Sequence, residues 1–469
     1  MLDELRKRLI LIIVAFAMLM EAIDITIINT AITNMAHSLN VTPIDLKLAL
    51  ISYLLSLAIF IPISGWIADK FGIKKVFIFA LSLFTLSSFA CGFTTTLEQL
   101  IIARFIQGLG GSFTMPVGRL IILRICERHE LIIKMGMVVM VAALGMMLGP
   151  VLGGILTTHF SWPWVFWVNV PFGLLAILLA YFFFPSMPSR PVLPLDKLGF
   201  ILFGGGLATL TYSLSALSES NLSHSSTLAM LLCSISLLCF YYWHSKKQAH
   251  PIVKLTLLSK RTFYISALGN LCARLSFGGI PFLLPLLFQI GLKFTPQLSG
   301  LLLAPISIGV LLIKPLSTSI LRLLGYKKLL CVNTVLVAAI LCSFMLINTA
   351  TSLYTIGFLT FGYGFLIALQ YTAMNSLAYA NINEEELSSA TSIMSTIQQL
   401  SQSFGIAFAA ILVTLFSPQF SIHSAAIIRP LHESFLVMAV VTLFSVMVFG
   451  KLKPEDGQEL LMVKTQVNE

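Results

Sequence analysis

Charged residues are scarce in this sequence. Asp, Glu, Lys and Arg make up 10% of its 469 residues, and hydrophobic residues make up 57%. A soluble domain has about 25% charged residues, so the composition excludes an ordinary soluble protein. The net charge of +10 comes from short basic clusters between apolar runs. A nucleic-acid partner is therefore not expected, because it would require a concentrated basic patch.

Several motifs of enzymes and metal proteins are also missing. The seven cysteines show no C-x-x-C spacing, which argues against a disulfide framework or a zinc site. The eight histidines have no ligand spacing, so no metal is expected. The sequence has no Walker loop for ATP and neither H-E-x-x-H nor G-x-S-x-G, so it offers no support for a membrane-embedded enzyme and predicts no cofactor. A sensor would need an appended soluble domain, and none is expected.

Long apolar runs fill the chain instead. A run of about 20 apolar residues is long enough to cross the hydrocarbon core of a bilayer. The runs predict fourteen spans near residues 9–33, 48–68, 75–94, 98–121, 133–157, 165–185, 198–218, 226–243, 262–290, 298–320, 328–348, 352–379, 388–416 and 432–450. Six, two and six spans suggest two repeats with an inserted helical pair.

The distribution of Lys and Arg supports this count. With a cytoplasmic N-terminus, the outer loops hold only Lys47, Lys293 and Arg429. Positive residues concentrate on the cytoplasmic side of membrane proteins, so both termini are predicted inside. The inner segments hold 22 of the 29 Lys and Arg, within Arg6–Arg8, Lys70–Lys75, Arg124–Lys134, Arg190–Lys197, Lys246–Arg261, Arg322–Lys328 and Lys451–Lys464.

The first span carries two carboxylates, Glu21 and Asp24, deep inside an apolar run. The run continues well past the length of a signal peptide, so we interpret it as an uncleaved span. A carboxylate in the membrane is costly and marks ion or proton handling. Residues three apart lie on one helix face, so the span presents an acidic face.

Span four carries the next buried charge, in Arg104-Phe-Ile-Gln-Gly-Leu-Gly-Gly. Arg104 lies about 10 Å and Asp24 about 13 Å from the outer ends of their spans, at 1.5 Å per residue. The similar depths predict that the two side chains pair. The alternative is that Arg104 extends toward the outer surface.

Two glycine-containing strings complete the pattern. The string Gly65-Trp-Ile-Ala-Asp-Lys-Phe-Gly-Ile-Lys-Lys is predicted to form the inner loop between spans two and three, with Asp69 capping the following helix. An ordinary basic loop is the alternative. Span five carries Gly145-Met-Met-Leu-Gly-Pro-Val-Leu-Gly-Gly, where small residues allow close helix approach and Pro150 predicts a kink. Packing alone could explain the second string.

These three strings resemble the signature motifs of the major facilitator superfamily, and the third resembles the motif of its drug:proton antiporters. The chain is similar to the fourteen-span drug:proton antiporter family, which includes QacA and EmrB, and is most similar to its MdtD-type branch. The further strings that carry this resemblance are Ile23–Ala31, Trp162–Gly173, Leu195–Gly199, Gly269–Arg274 and Tyr371–Asn375. Departures from the family pattern are Thr33 for proline, Pro163 for arginine, Ile73 for a basic residue and Glu21 for a neutral one.

The resemblance implies an all-α polytopic membrane protein with the major facilitator fold: two six-helix bundles plus two extra transmembrane helices. The expected parts are a bundle over 1–185, an inserted pair and linker over 186–255, a bundle over 256–453 and a cytoplasmic tail over 454–469. The expected protein is a monomer of the bacterial inner membrane. Its partners are a small-molecule substrate, protons and the lipid bilayer.

The implied function is proton-coupled export of amphipathic, cationic compounds. A specific metabolite exporter or a proton symporter is the alternative. Proton coupling is expected from Asp24, Arg104 and Glu21, and an inner gate from Gly65, Asp69, Lys70, Gly72 and Lys74. The expected antiporter motif consists of Gly145, Gly149, Pro150, Gly153 and Gly154. The expected substrate cavity is lined by Glu21, Asn29, Asn270, Arg274, Tyr371 and Asn375.

Two further basic residues lie within spans. Arg274 is near the middle of span nine, where a pairing or substrate-anion role competes with a structural contact to carbonyl groups. Lys314 is nearer the inner end of span ten, and we expect its side chain to extend toward the surface.

Overall fold

The structure is a computed structural model that describes residues 4–126, 130–185, 189, 191–217, 224–383, 386–416 and 427–459. Within these ranges the chain forms helices and no β-strand. Short 3-10 helices cover Ile28–Thr30 and Leu255–Ser259, and a π-helix covers Leu287–Gly291. The α-helices are α1 Glu4–Ile27, α2 Ile32–Ser38, α3 Lys47–Phe71, α4 Ile73–Cys91, α5 Leu97–Ile125, α6 Leu131–His159, α7 Trp164–Trp167, α8 Asn169–Phe183, α9 Lys197–Ala216, α10 His224–Lys247, α11 Arg261–Phe277, α12 Ile280–Leu286, α13 Pro296–Phe344, α14 Leu353–Ala378, α15 Leu387–Phe416 and α16 Ile428–Phe449.

Thirteen helical segments of the described chain are long and apolar enough to cross a membrane. One of them, α13, has 49 residues. A continuous helix of that length would measure about 73 Å, more than twice the roughly 30 Å of a hydrocarbon core. Gly325 interrupts α13 with φ 69° and ψ 163°, which are not helical angles. The segment therefore contains two helices, and the predicted fourteen spans agree with the structure.

Local sequence explains several helix ends. Thr96 caps the first turn of α5: its hydroxyl accepts from the backbone N–H of Gln99 at 3.4 Å. The Gln99 side chain in turn accepts from the N–H of Thr95 at 2.9 Å. This reciprocal pair satisfies backbone donors that a helix leaves free. Gly72 separates α3 from α4 with φ 90°, a conformation that favours glycine.

The chain forms two compact units. The first unit contains Met1–Lys197 and Phe288–Ala304, and the second contains Leu198–Leu287 and Pro305–Glu469. In the first unit α1 contacts α5, α6 and α8, so the acidic face of α1 lies in the interior of that unit. In the second unit α11 contacts α14, α15 and α16. Most of α9 and all of α10 belong to the second unit, and their role as an inserted pair stays a prediction.

The predicted loop between spans two and three is largely helical. Helix α3 continues to Phe71, so Gly65 and Asp69 lie within it. The prediction that Asp69 caps the following helix is wrong, because α4 begins after Gly72 without a side-chain cap. Among the basic residues used to orient the chain, Arg128, Arg190 and Lys464 lie outside the described residues.

Candidate functional site

An ion pair between α1 and α5 lies at the centre of the first unit. One terminal nitrogen of Arg104, Nη1, donates to Oδ2 of Asp24 at 2.6 Å. Asp24 is 0% exposed and Arg104 is 1% exposed. Removing one partner of such a pair costs about 3–5 kcal/mol, because the other charge is left buried and uncompensated. The pair therefore couples the charge state of Asp24 strongly to the packing of α1 against α5.

Two amides complete the hydrogen bonding of Asp24. Nε2 of Gln107 donates to Oδ1 of Asp24 at 2.9 Å, and Nδ2 of Asn169 donates to the same oxygen at 3.0 Å. Gln107 also accepts from Nη1 of Arg104 at 2.6 Å. Neither amide was among the predicted site residues. Gln107 could have been found, because it lies three residues after Arg104 and so shares its helix face.

Aromatic rings cover the guanidinium of Arg104. Its Cζ lies 4.3 Å from the ring centroid of Tyr53 and 5.7 Å from that of Phe166. Its Nε has no hydrogen-bond partner within the described chain. Cation–π contacts of a desolvated guanidinium are worth about 2 kcal/mol, so the rings help to hold Arg104 in place. No sequence signal identified Tyr53.

Glu21 lies one turn before Asp24 and has different surroundings. It is 3% exposed, and its Oε2 has no hydrogen-bond partner within the described residues. Its other oxygen lies 3.5 Å from the position that a Cβ at residue 111 would occupy, and the Tyr53 hydroxyl lies 2.8 Å from that position. Glycine at 111 therefore leaves room beside Glu21. An unpartnered buried carboxylate is available to a proton or to a cationic group.

The predicted inner-gate residues tie the ends of several helices together. Arg124 of α5 donates to Oδ1 of Asp69 of α3 at 2.6 Å. Nζ of Lys74 donates to the carbonyls of Tyr181 and Phe184, at 2.7 Å and 2.9 Å.

Two other predicted gate residues, Lys70 and Gly65, have fewer close contacts with neighbouring helices. Nζ of Lys70 lies 4.5 Å from the centroid of the Trp66 ring. No neighbouring heavy atom of the described residues lies within 4 Å of a Cβ built on Gly65, so this glycine does not mediate a close helix approach.

The antiporter motif of α6 packs directly on α1. Three glycines spaced by four residues face α1: a Cβ on Gly145 would lie 2.6 Å from the carbonyl of Leu19, and a Cβ on Gly149 or Gly153 would overlap the hydroxyl of Thr26 or Thr30. Residues four apart share a helix face, and only glycine allows this approach. The motif thus clamps the helix that carries Glu21 and Asp24.

The other face of α6 receives a segment from the first half of α13. A Cβ on Gly154 would lie 2.5 Å from the carbonyl of Pro296, and a Cβ on Gly300 would overlap the carbonyl of Pro150. These residues all belong to the first unit. The glycines of the motif therefore serve two contacts on different faces of one helix.

The predicted substrate residues fall into two groups. Glu21 and Asn29 lie in the first unit, where Asn29 is buried in the 3-10 turn after α1. The other four lie in the second unit. Nε of Arg274 donates to Oδ1 of Asn270 at 3.2 Å, and the guanidinium of Arg274 lies over the ring of Tyr371. Asn375 accepts a hydrogen bond from Gln398 at 2.9 Å.

Comparison with known proteins identifies the class of protein to which this fold and site belong. The profile of the Major Facilitator Superfamily matches residues 14–406 and 267–463. The chain belongs to this superfamily, and it is a membrane transporter for small-molecule substrates rather than an enzyme.

Curated relatives place the chain within the superfamily. It is 34% identical over 446 residues to the "Putative multidrug resistance protein MdtD" of Yersinia enterocolitica, covering 95% of each chain. It is 33% identical over 453 residues to the protein of that name in Pectobacterium atrosepticum, covering 96% of this chain and 97% of the relative. The MdtD-type resemblance seen in the motifs is thus confirmed.

Solved structures support the fold. The D-xylose-proton symporter has a TM-score of 0.69 at 14% identity, covering 96% of this chain and 98% of that chain. The nucleoside transporter NupG has a TM-score of 0.68 at 13% identity, covering 94% and 98%. At these identities the similarity shows the fold alone.

Proposed function

We propose that the protein is a proton-coupled antiporter that exports amphipathic, cationic compounds across a bacterial inner membrane. The observation that carries this proposal is the buried carboxylate of Asp24, which is held by Arg104, Gln107 and Asn169 in the first unit. The similarity to relatives named as multidrug resistance proteins supports export of drugs. Both termini would lie in the cytoplasm, and the protein would act as a monomer.

The ion pair supports a role for Asp24 as the proton carrier. Protonation of Asp24 removes one charge from a pair whose side chains are buried in the protein, and the remaining cation of Arg104 then loses its counter-charge. Because leaving one charge of a buried pair uncompensated costs about 3–5 kcal/mol, we expect the packing of α1 against α5 to respond. We propose that protonation from the outer side favours exposure to the inner side, where the proton leaves and a substrate binds.

The proton gradient would supply the driving force. One elementary charge that crosses the membrane is worth about 2.3 kcal/mol per 100 mV, which is comparable with the coupling expected from the ion pair. Glu21 would then attract the cationic group of a substrate, since its Oε2 has no partner within the described chain.

The two glycine-containing motifs would control access. The ion pair of Asp69 with Arg124 and the contacts of Lys74 would fasten the inner ends of the helices in one state. The close packing of Gly145, Gly149 and Gly153 against α1 would prevent protons from leaking past Asp24. This second role is supported by the contacts of the motif with the helix that carries both carboxylates.

Dye transport tests the proposal. Ethidium is added to energised inverted vesicles that contain the wild type or the Asp24→Asn variant, and dissipation of the pH gradient is recorded. The proposal predicts dissipation by the wild type and none by Asp24→Asn. A response that persists in Asp24→Asn would place the proton site elsewhere, with Glu21 as the next candidate. The absence of any response to a panel of cationic dyes would favour a specific metabolite exporter.

A further inference from the structure

The second unit contains a buried positive charge without a counter-charge. Arg274 in α11 is 8% exposed and forms no ion pair within the described chain. Its one hydrogen bond to the described protein joins Nε to Oδ1 of Asn270 at 3.2 Å. The two terminal nitrogens, Nη1 and Nη2, therefore have no protein acceptor there. Arg104 of the first unit differs, because its terminal nitrogen reaches Asp24.

Neighbouring side chains fix the orientation of this guanidinium. Cζ of Arg274 lies 3.9 Å from the centroid of the Tyr371 ring, which covers one face of the group. Tyr371 in turn packs on Phe277, with ring centroids 6.2 Å apart. Asn270 is held by a bond from its Nδ2 to the carbonyl of Ser266 at 3.1 Å. The side chain is thus preorganised, with its two terminal nitrogens left free to donate.

The depth of Arg274 rules out a simple route to water along the helix. It lies thirteen residues after Arg261, or about 20 Å along the helix axis, within a hydrocarbon core about 30 Å thick. No backbone carbonyl of the described chain accepts from it, which argues against the structural role that the sequence left open. A cation–π contact does not neutralise the charge, and a buried cation without an anion is unfavourable.

We propose that Arg274 binds the carboxylate of a transported amphipathic compound. A guanidinium presents parallel N–H groups that match a carboxylate in a two-bond arrangement, and the Nη1 and Nη2 atoms of Arg274 offer that arrangement. This inference rests on the proposed transport function and specifies its substrates: among the amphipathic cations that are exported, Arg274 favours compounds that also carry a carboxylate. Tyr371 and Asn270 are positioning residues, because they act through Arg274.

A matched pair of dyes tests this proposal. Rhodamine B carries a free carboxylate, and its ethyl ester has the same chromophore without that charge. Fluorescence polarisation would measure the affinity of both dyes for the full-length protein in phosphatidylcholine nanodiscs. Arg274→Gln is expected to weaken rhodamine B binding at least about tenfold, the size of one charge-assisted contact, and to leave the ester within about twofold.

Two further variants make the result specific. Lys314→Gln removes another basic residue of the second unit that forms no ion pair within the described chain, and it should leave both affinities unchanged. Arg274→Lys keeps the charge but loses the paired N–H groups, so its rhodamine B affinity should be intermediate. Size-exclusion chromatography would confirm that each variant is folded.

Three results would overturn the proposal. The first is no binding of rhodamine B by the wild type. The second is an unchanged rhodamine B affinity in Arg274→Gln. The third is an equal loss of affinity for rhodamine B and for its ethyl ester in Arg274→Gln. Equilibrium binding needs no proton gradient, so its outcome is separate from that of the transport assay. A transport response that persists in Asp24→Asn, together with dye selectivity that depends on Arg274, would contradict the proposed proton coupling alone.

Discussion

Replacing Gly149 with alanine probes a close helix contact of the first unit. A Cβ on Gly149 would overlap Oγ1 of Thr26 and would lie 3.0 Å from the Cβ of Thr26 and 3.1 Å from the carbonyl of Ile23. The Thr26 hydroxyl is not free to turn away without loss, because it donates to the carbonyl of Ala22 at 3.0 Å. Backbone atoms on the facing helix leave little room for relaxation.

The expected cost follows from this geometry. Forcing one methyl group into a packed interface costs about 1–3 kcal/mol, so Gly149→Ala should lower the apparent melting temperature of the purified protein in detergent. Thr26→Ala removes the overlapping atom and leaves contacts that shifts of a few tenths of an ångström relieve. The double variant should therefore recover more than half of the lost stability.

Gly357→Ala is the matched control, since no heavy atom lies within 4 Å of its built Cβ. Alanine is better than glycine in a helix by about 0.5–1 kcal/mol, so this variant should be as stable as the wild type or more so. Thermal melting, monitored by size-exclusion chromatography, measures the stability of each variant. Ethidium efflux from cells measures its transport activity. A Gly149→Ala protein as stable as Gly357→Ala, or one that Thr26→Ala does not rescue, would refute the argument.

Two other predictions concern ion pairs near helix ends. Arg124→Asp should reduce dye efflux, because it places two carboxylates together. The double variant Asp69→Arg with Arg124→Asp reverses the pair and should have higher efflux than Arg124→Asp alone. Equally low efflux in both variants would show that the ion pair itself is not needed. A hydrogen bond from Lys260 holds the pKa of Glu386 below its ordinary value of 4.5. The pair therefore stabilises the protein above the ordinary pKa of Glu386, and this stabilisation is lost as the pH falls through the lowered pKa. The melting temperatures of the wild type and Glu386→Gln should differ at neutral pH and converge in acid. A difference in melting temperature that is constant with pH would contradict this prediction.

Much of the fold could be predicted from the sequence because its physical signals are strong. Apolar length and the distribution of Lys and Arg report directly on the membrane. The contact between Asp24 and Arg104 also followed from their similar depths, and the structure places their atoms 2.6 Å apart. The role of this pair in proton coupling stays a prediction.

The remaining parts of the site depend on contacts between distant segments. Asn169 and Tyr53 reach the ion pair from α8 and α3, and no spacing in the sequence relates these helices to α1. The cap predicted for Asp69 was wrong because helix propagation continued to Phe71, while Arg124 supplied another partner for the carboxylate. Gly65 and Asp69 therefore do not mark the end of α3, whereas Gly72 of the same string does.

The central claim is that Asp24 exchanges a proton when a substrate binds. The most direct measurement is proton release from the purified protein in weakly buffered detergent solution, followed with a pH-indicator dye on addition of ethidium. We predict proton release by the wild type and by Glu21→Gln at saturating ethidium, and none by Asp24→Asn. Ethidium binding by Asp24→Asn with undiminished proton release would contradict the account.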